Sequence, residues 1–125
     1  MALHREPITV SGSTGGAGVS TATTTTDKVI RGWITAIYLE YTGSPPAATT
    51  DVTIAEAIVD DPQTILTITN GATDGWYYPL HQAQDETGTD LFGTGMPIIV
   101  ADKIIATIAQ ANDDDGVIVT LIYET

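Results

Sequence analysis

The densest run of groups able to hold a cation or move a proton is Asp113, Asp114 and Asp115, followed at once by Gly116. A calcium loop of the EF-hand kind alternates its ligands and sets glycine at its sixth position. Here the acids are consecutive, so their carboxylates point in different directions and the segment reads as a turn, with a weak surface cation site as the alternative. Asp60 with Asp61 and Asp85 with Glu86 are the other acidic pairs. Glycoside hydrolysis needs two carboxyl groups facing each other across about 5 to 9.5 Å. Both pairs fall in expected loops, where solvated charge is the ordinary explanation. A nucleophile triad would have to join His81 to Ser11, Ser13, Ser20 or Ser44, and no nucleophile-elbow sequence surrounds any of these serines. His4 is remote from His81 in sequence, which leaves no imidazole pair for a metal. The chain has no cysteine, hence no disulfide, thiolate nucleophile or Cys-ligated zinc. No catalytic residue, cofactor or metal ligand is expected.

Two further groupings have chemistry in them. Gly12, Gly15, Gly16 and Gly18 are spaced closely enough for a phosphate-cradling loop, but that loop needs a buried strand before it and a helix after it. A Thr-rich strand follows instead, so Ser11 to Gly18 reads as a flexible tether. Trp76, Tyr77 and Tyr78 hold three of the eight aromatic residues. Core plug, protein-contact anchor and sugar-stacking platform all remain open for them. Adjacent side chains on a strand alternate faces, so a split role is expected, with at least one ring turned outward.

These residues must be carried by strands. Thr, Ile and Val supply 22, 15 and 8 residues of 125, and β-branched side chains fit a pleated surface better than a helix. The first ten residues, with Arg5, Ile8 and Val10, read as an arm that pairs with something outside its own domain. A tether then leads to a single domain over residues 19–125. Val19 to Thr26 is an edge strand. Val29 to Tyr41 carries apolar residues on both parities and reads as a central strand whose two faces are each buried or in contact with something. Pro45 and Pro46 end it. Asp51 to Val59 and Gln63 to Thr69 follow, the first as strand with a short helix as the alternative, and Asn70-Gly71 gives a hairpin-type turn. Gln82 to Gly95 reads as a polar loop anchored by Leu91 and Phe92. Pro97 to Val100 and Lys103 to Ala109 are two strand pieces around a bend, and Val117 to Tyr123 closes the chain. About eight strands make an all-β single sandwich, with a jelly roll as the best fit.

Composition limits the partners. Four basic against 16 acidic residues give a formal charge of −12, which repels nucleic-acid phosphates and anionic lipid. No stretch approaches the 18 or so apolar residues of a membrane span, and neither leader nor anchor is expected.

In order and style the chain resembles the decoration, or cement, proteins on tailed-bacteriophage capsids. The residues that carry the resemblance are GWITAIYLEY (Gly32 to Tyr41), TTDVTI (Thr49 to Ile54), TILTITN (Thr64 to Asn70), DGWYYP (Asp74 to Pro79) and VIVTLIY (Val117 to Tyr123). The resemblance implies a structural virion protein with no enzyme activity. It would sit on the outer capsid surface and bridge major capsid protein subunits as a homo-oligomer, a trimer being favoured. On that reading Arg5, Ile8, Val10, Trp76, Tyr77, Tyr78 and His81 form the interface, and removing Met1 to Gly18 should leave a folded domain that binds less well. The rival reading is a carbohydrate-binding module using Trp76, Tyr77 and Tyr78.

Overall fold

The computed structural model describes residues 2–43, 45–58 and 60–125. Ten strands run in chain order as β1 (Leu3–Val10), β2 (Ser20–Thr25), β3 (Ile30–Thr42), β4 (Asp51–Glu56), β5 (Thr64–Ile68), β6 (Gly75–Tyr77), β7 (Leu80–Gln84), β8 (Asp90–Asp102), β9 (Ile104–Ala111) and β10 (Gly116–Glu124). One sheet has the order β1-β10-β3-β8-β7, with β6 also paired to β3, and the other has the order β2-β9-β4-β5. The antiparallel pairs β1·β10, β2·β9, β3·β8 and β4·β5 are nested, first strand with last and so inward. A long two-stranded ribbon folded over on itself gives this nesting, and it is the jelly-roll form of the sandwich. The two strands beyond the expected eight are β6 and β7, inserted between the innermost pair and β8.

Alternation decides what lies between the sheets. On β10, Val117, Val119, Leu121 and Tyr123 are buried while the residues between them are partly exposed. On β9 the inward set is Ile104, Ala106 and Ile108, and on β4 it is Val52 and Ile54. Each fully buried aliphatic side chain of this size stabilises the fold by about 1.5–3 kcal/mol.

β3 behaves differently, and the difference explains its sequence. Ile30 and Ile34 are buried, then Ile37, Leu39 and Tyr41, so the inward set changes parity. In the register with β10, Ala36 stands opposite Ile122 and Ile34 opposite Tyr123, which leaves Thr35 as the extra residue of a β-bulge. The apolar residues on both parities are thus one core face that switches phase, not two covered faces. Trp33 and Tyr38, on the other side, keep contact with solvent.

Several expectations are corrected here. The first ten residues are not a free arm: β1 pairs with β10 over eight residue pairs, and Ile8 and Val10 are buried in the core. They could not be read as core because a Gly-rich stretch follows them. That stretch is not a flexible tether either. The Ser13 hydroxyl donates to the Asn112 carbonyl at 2.7 Å, and Gly18 N–H donates to the Asn112 side chain at 3.0 Å. Asn70 takes a left-handed φ of 56°, yet the chain there crosses from one sheet to the other instead of turning back as a hairpin. Residues 82–95 are not a loop pinned by Leu91 and Phe92. They form most of the β7–β8 hairpin, with both side chains exposed. The bend near Asp102 is a full corner, since β8 and β9 belong to different sheets.

Candidate docking surface

The residues with chemical potential are mostly spent on holding turns. Asp113 Oδ1 accepts hydrogen bonds from the Ser20 hydroxyl at 2.7 Å and from Gly16 N–H at 2.9 Å. The Ser20 hydroxyl first, then the Gly16 amide, holds this carboxyl below the usual aspartate range. Asp115 is buried and accepts from Asn112 N–H at 3.0 Å and Ala47 N–H at 3.1 Å. Asp113 and Asp115 therefore serve separate donors, and among the described residues no cluster of three metal-ligating side chains occurs. Asp85 accepts from the Thr87 hydroxyl at 2.7 Å and from the amides of Thr87 and Thr89, which lowers its pKa, the hydroxyl contributing most. It caps the β7–β8 turn. Asp60 and Asp61 are exposed, Asp61 with a left-handed φ of 51°.

Among the described residues the histidines and serines are not brought together. His81 is exposed on β7 and its Nδ1 lies 3.2 Å from the Gln82 carbonyl, to which it donates. His4 stacks on Tyr123 with ring centroids 4.9 Å apart. Ser13 and Ser20 are buried beside the β9–β10 turn, Ser11 is exposed, and Ser44 lies outside the described residues. A cleft of about 180 Å³ opens between the edge strands β1 and β2, lined by Glu6 to Thr9 and Thr24 to Asp27. Ligand pockets usually run from about 300 Å³ upward. Nearby, Lys28 closes a 3.0 Å ion pair with Glu6; that pairing, chiefly its hydrogen bond, raises the lysine pKa.

What remains is surface. Of the seven residues expected at an interface, Ile8 and Val10 are withdrawn into the core, because the inward parity of β1 is theirs. Arg5 stays outside on β1, opposite Ile122. The aromatic segment divides as alternation requires. Tyr77 is half-buried against the core, while Trp76 is 49 % exposed on the solvent side and Tyr78 is 66 % exposed. Trp76 stands opposite Tyr38 in the β3–β6 register, their rings 5.0 Å apart and tilted by 48°. Tyr41 belongs to the core side: burial pushes its phenol up to about 12, with Tyr77 and Asp74 adding to the effect.

Sequence reasoning missed a second group on the same sheet face. Trp33 stands opposite Ile99 across β3 and β8, and the two are 38 % and 50 % exposed. The signal for Trp33 lies in the two-parity apolar pattern of β3, which does not say which face is buried. Charge is also unevenly placed. Arg5, Lys28, Arg31 and Lys103, the only Lys and Arg residues, sit where β1 and β3 begin and β2 and β8 end, together with Asp27, Asp102 and Glu124. The opposite end carries Asp51, Asp74 and Asp113 to Asp115, and the β7–β8 hairpin carries Asp85, Glu86 and Asp90. No family model, curated protein or solved structure matches the chain.

Proposed function

We propose that this chain is a docking module for protein surfaces and that its site of action is the outside of a tailed-phage capsid, where it stabilises the shell by bridging major capsid protein subunits. The first half rests on one observation: Trp76, braced by Tyr38, is presented half-exposed on an open sheet face, with Tyr78 more exposed beside it. Trp and Tyr are enriched among the side chains that carry interface energy. A flat aromatic platform meets a flat partner without a pocket. The second half rests on the sequence resemblance, and the acidic charge supports it, because a chain at −12 is repelled by packaged DNA. Repetition on a symmetric lattice lets each contact be weak, since avidity multiplies them.

Co-sedimentation with shells of a phage major capsid protein tests this reading. The wild-type chain should pellet with shells, and a Trp76→Ala/Tyr78→Ala double variant with unchanged circular dichroism should stay in the supernatant. The side-by-side exposure of Trp76 and Tyr78 also favours sugar stacking as the second reading. Binding on a glycan array that the same double variant abolishes, with no binding to shells, would replace the capsid reading by that one.

A further inference from the structure

The β7–β8 hairpin is a finger that leaves the sandwich. β6 takes the positions on β3 from Ile37 to Leu39, so β8 departs from the sheet there and residues 90–97 pair with β7 alone. The finger holds its own shape. Asp85 N–H donates to the Thr89 carbonyl at 2.9 Å across the turn, and the Gln84 side chain donates to Asp90 Oδ1 at 2.9 Å. Where β8 outruns β7, Leu91 to Thr94 form a second turn, in which the Thr94 hydroxyl donates to the Leu91 carbonyl at 2.7 Å and Gly93 takes a φ of +80°. This turn presents Phe92 at 98 % exposure, and Leu80, Leu91 and Met96 of the same hairpin are exposed too. A segment ordered in advance loses less freedom on binding.

Charge selects what can receive it. Residues 80–97 hold Asp85, Glu86 and Asp90 and neither Lys nor Arg. Further along β8, Glu56 Oε2 accepts from Ala101 N–H at 3.1 Å, which brings another carboxylate to the strand. Arg31 stands opposite Ala101, and the other Lys and Arg residues lie at that same end. The run from Met96 to Ala101 spans about 16 Å at about 3.3 Å per strand residue, roughly twice the Debye length at physiological salt. The finger's acids are thus screened from Arg31. Nucleic acid and anionic lipid share their sign. A second copy is no better a receiver, because its exposed apolar pair, Trp33 and Ile99, is bordered by Glu124, opposite Trp33, and by Glu56. We propose that the hairpin inserts Phe92 into an apolar pocket rimmed by Lys or Arg on a different protein, the major capsid protein. The inference rests on the capsid reading for that partner and adds to it a second contact, separate from Trp76. The ring supplies the hold and the carboxylates steer the approach.

Co-sedimentation with major capsid protein shells at about 0.05 and 0.5 M salt separates the two proposals. Wild type should pellet with shells. Phe92→Ser, with unchanged circular dichroism, should bind roughly tenfold or more weakly, as loss of an interface hot spot does, while Phe92→Leu keeps most of the binding. Glu86→Lys should weaken binding at the lower salt and match wild type at the higher, where rim charges are screened. With photo-reactive benzoyl-phenylalanine in place of Phe92, illumination should join the finger to a capsid-protein segment that carries Lys or Arg. Shells that bind Phe92→Ser like wild type and fail to bind Trp76→Ala/Tyr78→Ala overturn this inference and leave the capsid reading standing. Shells that bind no wild type overturn both. Any other response of Glu86→Lys removes the cationic rim and overturns the inference, as does a cross-link to a second copy or to a segment without Lys or Arg. Flotation with phosphatidylcholine vesicles that Phe92→Ser abolishes would make the finger a lipid anchor instead.

Discussion

The Thr35 hydroxyl donates a 3.0 Å hydrogen bond to the Ile122 carbonyl at the point where β3 carries one residue more than β10. This one residue sets the facing of β3. Before it Ile30 and Ile34 enter the core, and after it Ile37 and Leu39 do.

Thr35→Val keeps the bulge and loses its hydroxyl bond, so it should cost about 1 kcal/mol. Deleting Thr35 should do far more, because one half of β3 would then turn its isoleucines to solvent. Urea denaturation checks both. A cooperative transition of near-normal midpoint in the deletion variant would contradict the phase-switch account.

The N-terminal strand is part of the core, which reverses the expectation from sequence. Ile8→Ala should destabilise by about 2–5 kcal/mol, the usual range for truncating a buried aliphatic side chain. Arg5→Ala, on the exposed face, should stay within about 0.5 kcal/mol. Removal of residues 1–10 should abolish cooperative unfolding in a calorimeter, since Val10 and Ile8 leave together and β10 loses its outer partner.

Gly32 has a φ of +140°, and a Cβ there would strike the Glu124 carbonyl. Gly32→Ala should therefore cost at least about 1–3 kcal/mol, the range for a residue forced into a sparsely populated backbone region. Equal thermal midpoints for variant and wild type would show that the C-terminal strand can yield there.

Acid should loosen two turns before it unfolds the core. The Asp113 and Asp85 carboxyls titrate below the ordinary value of 3.8 in the folded protein. A carboxyl depressed by folding contributes stability above its unfolded pKa, and that contribution is lost as pH falls through the folded pKa. Thermal midpoints of wild type and Asp113→Asn should differ at neutral pH and converge below pH about 3.8. A gap that stays constant down to the acid limit would mean that the Ser20 and Gly16 bonds do not depend on the charge.

Much of the fold was legible because strand formation here is a local matter. The β-branched composition, the Pro45-Pro46 stop and the Asn112–Gly116 turn all act within a few residues, and the aromatic split at Trp76 and Tyr77 follows from alternation alone. Docking residues were harder to read. Trp33 and Ile99 are far apart in sequence and meet only through the β3–β8 register. Phe92 looked like a loop anchor because an isolated apolar residue among polar ones is usually buried, and nothing local says that β8 will leave the sheet at Pro97.

By itself the sequence determined an acidic, cysteine-free, all-β sandwich with an aromatic group turned partly outward, since composition and period-two alternation are properties of the chain alone. Tertiary structure decided the rest. It made Ile8 and Val10 core residues through a partner more than a hundred positions away, turned Asp113 into a latch for the glycine stretch and Asp115 into one for Asn112 and Ala47, and gathered every Lys and Arg at one end of the molecule. Such outcomes depend on which strands pair, and pairing between distant segments is set by the packing of the whole sandwich rather than by any stretch of residues within it.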